Sequence, residues 1–271
     1  MDDAEVLQDP RSAASLLIFE IGNSHVSVAT AVGNSIRTNH RFARDQFDAM
    51  IHHADEAWDA LPDDRRKAVA AASVVPDVLA ELRGRLEERY DDAPLLAVGD
   101  ELHRPMSLAV EAPETVGVDR VCSAAAAYDV IGRACAVASF GTAITIDCVN
   151  DEGVFMGGAI LPGLALSAHA LHEGTAALPE VVIEPTGATY GATTEQCIRN
   201  GVIYGAVGAL REITERYATQ LGSWPQLVVT GGNAELVQSQ CEFIDNVVPD
   251  LCIRGIALAY RRHFAPFEEA S

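Results

Sequence analysis

Positive charge is scarce in this sequence: 19 Lys and Arg stand against 39 Asp and Glu, a net charge of −20 at pH 7. Such a chain has no surplus of cations with which to displace counterions from a phosphodiester backbone or to sit on an anionic bilayer. Neither nucleic acid nor a membrane is therefore expected as a partner. Long apolar runs are missing as well. The most hydrophobic stretch, residues 121–149, is interrupted by Asp129, Arg133 and Asp147, which makes it too polar to span a bilayer unaided. Residues 1–15 lack the basic start and apolar segment of a signal peptide, so 1–14 read as a flexible polar leader. No Cys-x-x-Cys pair occurs among the cysteines at 122, 135, 148, 197, 241 and 252. Buried reduced thiols in a cytoplasmic protein are expected rather than a disulfide framework.

Familiar site motifs are absent too. There is no GxxxxGK[ST] and no GxGxxG after a strand, which excludes a Walker-type loop and a Rossmann fingerprint. No GxSxG elbow marks a serine nucleophile. His169 and His172 could share a helix face, but no third ligand accompanies them at metal-site spacing, so a polar face is expected. His52 and His53, near Asp55 and Glu56, read as a solvated helix surface.

The sequence does contain an internal echo. An apolar run over 15–20 reaches Gly22, with strands to follow over 25–32 and 36–41, a helix over 45–61, a strand over 67–75, a helix over 76–90 and a short strand over 95–98. The second half begins likewise. After a helix over 117–128, an apolar strand over 135–140 reaches Gly141, and strands follow over 143–149 and 155–160. Helices over 164–173, 194–221, 234–240 and 253–263 and a strand over 227–230 complete the pattern. Two α/β halves of like topology, 15–120 and 121–271 with a soft boundary near 115–125, are predicted to face a shared cleft.

Glycine at a hairpin tip lets backbone N–H groups approach a phosphate with no Cβ in the way. Asn23, Ser24 and Thr142 add side-chain donors, so the two tips could grip the phosphates of a nucleotide. A third element, Gly117-Val118-Asp119-Arg120, opens a helix. There a carboxylate could take a proton from an alcohol, while a guanidinium could hold an anionic part of that acceptor.

Seven segments then carry a specific likeness: Glu20-Ile-Gly-Asn-Ser24, Gly117-Val-Asp-Arg120, Ser139-Phe-Gly-Thr-Ala-Ile-Thr145, Gly157-Gly-Ala-Ile-Leu-Pro-Gly163, Thr175-Ala-Ala-Leu-Pro179, Tyr190-Gly-Ala-Thr-Thr194 and Thr230-Gly-Gly232. In order and spacing the chain resembles the type III pantothenate kinases, from about residue 16 to 263. The resemblance implies two ribonuclease-H-like halves of the actin-like and sugar-kinase fold around a central nucleotide cleft, a homodimer, and phosphorylation of the primary hydroxyl of pantothenate at the expense of ATP with Mg²⁺, the first step of coenzyme A synthesis. It implies ATP contacts at Glu20, Ile21, Gly22, Asn23, Ser24, His25, Val26 and Ser27, at Gly141 and Thr142, and at Gly231 and Gly232. Substrate contacts would be Val110, Gly117, Val118, Asp119, Arg120 and Thr194, the last completed across the dimer, with Asp119 as the proton acceptor.

Three positions depart from the family pattern. Glu20 replaces an Asp, which keeps a carboxylate able to hold a Mg²⁺-bound water. Ser139 replaces an Asp associated with a monovalent cation, K⁺ or NH₄⁺; a hydroxyl is a far weaker ligand, and that site is in doubt. Val110 replaces a substrate-side Tyr. Two other readings therefore stay open: a non-enzymatic nucleotide-binding regulator of the accessory-factor type, and a kinase for a related small hydroxy acid.

Overall fold

The computed structural model describes residues 13–90, 93–187, 189–244 and 246–265. The leader expected over 1–14 lies, as far as residue 12, outside the described residues. The chain forms two compact units. Unit 1 holds the described residues up to Pro105, Thr115–Ala126 and those from Cys252 on; unit 2 holds Met106–Glu114 and Ala127–Leu251.

Unit 1 is built on β1 (Ser15–Ile21), whose apolar run suits a strand covered on both faces. It pairs antiparallel with β2 (His25–Val32) and parallel with β4 (Lys67–Ser73). With β3 (Ser35–Ala43) and β5 (Leu95–Ala97) the sheet order is β3-β2-β1-β4-β5. Alternate residues point to opposite faces. Leu17, Phe19, Val26, Val28 and Val69 pack on α1 (Phe47–Asp59) and α2 (Pro76–Glu87) through Met50, Ile51, Ala54, Leu82 and Leu86. Leu16, Ile18, Ala29, Ala31, Ala68 and Ala70 pack instead on α3 (Val118–Ile131) through Cys122 and on α7 (Leu251–Phe264) through Ile253, Ile256 and Tyr260.

Sequence order alone grouped this last helix with the second half. Its apolar stripe is buried against the first sheet instead, and it belongs to unit 1 from Cys252 on. Close packing of α7 on α3 depends on Gly255, where a side chain would collide with the Cys122 carbonyl. Backbone can come this near only where a Cβ is missing.

Unit 2 repeats the plan. The strand β6 (Cys135–Phe140) pairs antiparallel with β7 (Ala143–Val149) and parallel with β9 (Gln226–Thr230); β8 (Phe155–Pro162) and β10 (Asn246–Val247) complete the order β10-β9-β6-β7-β8. Its core joins Ala138, Phe140, Ile144, Ile146, Leu227 and Val229 to Leu164 of α4 (Leu164–Glu173), Leu210 of α5 (Thr194–Leu221) and Val237 of α6 (Ala234–Gln238). Thr193 caps α5, accepting from the Gln196 N–H at 3.3 Å, and Gly222 ends it at φ 75°. The two-residue β10 is too short to leave a periodic signal and was not expected.

Two side-chain expectations change. His53 does not share the exposure of His52: its ring lies 4.3 Å from that of His40 and 5.5 Å from Phe42, on the side where α1 meets β3. Five cysteines are buried, whereas Cys197 is exposed in the second turn of α5.

Candidate active site

In unit 1, Gly22-Asn23-Ser24 joins β1 to β2. The Gly22 N–H donates to the His25 carbonyl at 2.9 Å, and a Cβ at Gly22 would stand 3.3 Å from that oxygen. Arg44 Nη1 donates to the Asn23 carbonyl at 2.9 Å, bracing the tip from outside. At the base of the hairpin, Glu20 sits opposite Ser27 on β2 and Ala72 on β4. The Ser27 hydroxyl and the Cys252 thiol both donate to its carboxylate.

Asp119 lies in the first turn of α3, where its carboxylate accepts from its own N–H and that of Arg120. It thus satisfies helix-end donors, as a cap would, and remains close enough to Glu20 for the two charges to repel. Gly117 makes this geometry feasible: a Cβ there would lie 2.6 Å from Asp119 Oδ1. Burial, and then the neighbouring Asp119, push the Glu20 carboxyl above its ordinary value. Burial also raises Asp119, against the pull of the Arg120 N–H and guanidinium. A carboxyl with raised affinity for protons, ending an apolar layer, suits general-base work on an alcohol. Burial and these carboxylates hold the thiols of Cys122 and Cys252 protonated, so Cys252 serves as a donor.

A divalent cation fits this carboxylate pair because it would relieve their repulsion. No cluster of three or more His, Cys, Asp or Glu able to hold a metal exists among the described residues. Such an ion would therefore be held with water and phosphate oxygens, as suits Mg²⁺. The only lysine of the chain, Lys67, is engaged by Asp63 at 2.8 Å and by the Trp58 carbonyl at 3.2 Å.

In unit 2 the tip is shorter: Gly141-Thr142 joins β6 to β7, with the Gly141 N–H donating to the Ala143 carbonyl at 3.0 Å. Two further glycine turns close on it. Gly231 has φ 94°, and a Cβ there would come 2.6 Å from the Phe140 carbonyl oxygen. The Gly163 N–H donates to the Thr142 carbonyl at 3.0 Å, and a side chain at 163 would strike the carbonyls of both tip residues. Gly231, followed by Gly232, thus lies beside the second hairpin. Ser139 lies in a row with Thr145 and Thr230, so hydroxyls occupy the position. Val110 reaches the β8 backbone, 3.5 Å from where a Cβ of Gly157 would be. Thr194, the first residue of α5, lines an apolar cavity of about 670 Å³ with Leu161, Pro162, Ser167 and Ile198.

Two neighbours of Glu20 were not foreseen from the sequence: Cys252, which donates to its carboxylate, and Arg41, whose charge favours its ionised form. No local signal marks Cys252, which reaches Glu20 from 232 residues away in the chain. Arg41 was legible as a strand residue, but its place opposite Ser27 depends on the register of β2 with β3.

Two sheets of order 3-2-1-4-5, each with a glycine hairpin leaving its central strand, define the class: a duplicated ribonuclease-H-like fold of the actin and sugar-kinase type. Among solved structures, a Baf family transcriptional activator from Campylobacter jejuni superposes with a TM-score of 0.59 at 17% identity, over 91% of this chain and 98% of that one. The ethanolamine utilization protein EutJ from Carboxydothermus hydrogenoformans gives 0.52 at 14% identity, over 93% and 92%. These likenesses speak for the fold. A family model of type III pantothenate kinase matches residues 16–216. A type III pantothenate kinase of Agathobacter rectalis is 30% identical over 91% of this chain and 97% of its own length; one of Dehalococcoides mccartyi is 29% identical over 92% and 98%. The chain belongs to the type III pantothenate kinase family.

Proposed function

We propose that the protein transfers the γ-phosphoryl group of ATP to the primary hydroxyl of pantothenate in the cytoplasm, giving 4′-phosphopantothenate and ADP for coenzyme A synthesis. The carboxylate of Asp119 accepts the hydroxyl proton as that oxygen attacks phosphorus and the bond to the β–γ bridging oxygen breaks. The observation that carries this reading is the Asp119 carboxylate at the start of α3, half-buried, raised in proton affinity and kept in place by a glycine at 117. Arg120 binds the acceptor, with Gly117, Val118, Val110 and Thr194 as further contacts. Glu20 to Ser27 bind nucleotide in unit 1; Gly141, Thr142, Gly231 and Gly232 do so in unit 2. Glu20, its carboxylate fixed by Ser27 and Cys252, is the residue that would hold Mg²⁺ through water, and the ion would supply neutralisation of phosphate charge.

Potassium or ammonium stimulates only weakly, because Ser139 offers a hydroxyl where a carboxylate would bind the ion. The protein forms a homodimer. Large apolar side chains of unit 2 stand exposed in support of this: Ile160 at 65%, Leu166 at 46% and Tyr204 at 41%.

The test is a coupled ADP-release assay with pantothenate, ATP and magnesium, with and without potassium. ADP release dependent on pantothenate is expected; none above background would leave a nucleotide-binding regulator, and turnover on other hydroxy acids alone would move the substrate. Sedimentation analysis checks the dimer.

A further inference from the structure

The polar residues that end the apolar face of the first sheet form one row. Register places Glu20 of β1 opposite Ser27 of β2, and Ser27 opposite Arg41 of β3. Cross-strand partners point to the same face. The row therefore lies on the face that carries α3 and α7, immediately beyond the layer of Ile18 and Ala29. Arg41 is exposed, yet its guanidinium is not loose: Nη2 stands 3.3 Å from His25 Nδ1, at the foot of the glycine tip. It is also near enough to favour the charged form of Glu20. His25 in turn is held toward its neutral form by burial and by Arg41, which leaves Nδ1 free to accept from the guanidinium.

The charge requirement at this face is unusual. Two carboxylates, Glu20 and Asp119, already stand here and repel. A nucleotide polyphosphate brought to the adjacent tip adds several negative charges. The single lysine of the chain is engaged elsewhere, with Asp63 and Trp58. A planar guanidinium with five donors suits phosphate oxygens in a bidentate manner, and one bond to His25 leaves Arg41 most of its donors.

Resting on the proposed kinase reading, we infer that Arg41 is a phosphate-binding residue of unit 1, held beside the Gly22–His25 tip by His25 so that its free N–H groups meet the polyphosphate of the nucleotide. Arg41 thereby adds a cationic side chain to the backbone N–H groups and the neutral Asn23 and Ser24 side chains of the hairpin.

Calorimetric binding of ATP and of adenosine to the full chain, in millimolar magnesium, tests it. Arg41→Gln is expected to weaken ATP by about tenfold or more, the scale of a lost charged hydrogen bond, while adenosine binds as in the unaltered protein. Arg41→Lys should recover part of the loss, since the charge returns without the fork. Equal ATP affinity in Arg41→Gln would overturn the inference and leave the kinase reading standing. An equal loss for ATP and adenosine would overturn it too, by assigning Arg41 to the fold of the site. If the unaltered protein bound no ATP, the kinase reading itself would fall, and the inference with it.

Discussion

The two units thread five strands in the same order, but the strand that bears the glycine hairpin ends in different chemistry in each. In unit 1 the last polar residue before the tip is Glu20, flanked in its row by Ser27 and Ala72; in unit 2 it is Ser139, flanked by Thr145 and Thr230. Unit 1 adds Asp119, the Cys252 thiol and Arg41, while unit 2 adds two glycine turns, at 163 and 231, that press backbone against the tip. Repetition thus covers the strand order, the alternating apolar layers on each central strand and the glycine at each tip. Strand ends lie outside those layers, so their residues are free to differ. The strand end of one unit is charged, and that of the other carries only hydroxyls.

The greatest loss should come from the charged unit. Asp119→Asn is expected to lower kcat by about 10²–10⁴-fold, the scale of a missing general base, with the fold intact by circular dichroism. Unchanged turnover would remove Asp119 from the chemistry. Gly117→Ala, which moves that carboxylate without deleting it, should cost about 10²-fold, as a misplacement near 1 Å does; kcat for the two variants, measured side by side, ranks position against presence.

Breaking the neutral unit should act on stability. Gly231→Ala forces a side chain into a left-handed conformation against the Phe140 backbone, and a loss of about 1–3 kcal/mol is expected, read by urea denaturation.

A smaller effect concerns pH. Glu20 has its folded-state proton affinity raised above the ordinary value of 4.5, so the folded state binds more protons than the unfolded one over that window. Stability from this group is therefore present below pH 4.5 and falls as pH rises through the raised value. Glu20→Gln should melt higher than the unaltered protein at pH 7 and no higher at pH 4, by differential scanning calorimetry of the nucleotide-free protein. A variant that melts lower at both would show that its bonds to Ser27 and Cys252 outweigh its desolvation.

The least change is expected from Ser139→Asp, which gives unit 2 the carboxylate that unit 1 retains. Potassium should then stimulate turnover by about two- to fivefold more than in the unaltered protein, consistent with a stronger hard-oxygen ligand. Equal stimulation would place the ion elsewhere.

Most strands and helices were legible because each carries its own period: alternation in β2 and β7, a continuous apolar run in β1, and Pro76 opening α2. The two glycine tips and the Gly117–Arg120 helix start were legible for the same local reason. His53, β10 and the membership of α7 were not. Each depends on a partner distant in sequence: His40 for the ring, β9 for the strand, the first sheet for the helix.

What the sequence determined alone was therefore the set of elements and the motifs at their ends, since hydrophobic period, turn glycines and helix starts act over a few residues. Tertiary structure alone decided which charges meet. Register set Glu20, Ser27 and Arg41 in one row, and the missing side chain at Gly255 let α7 approach α3 closely enough to bring Cys252 to Glu20. Burial then raised the carboxyls, an effect of the surrounding medium that no stretch of chain carries by itself.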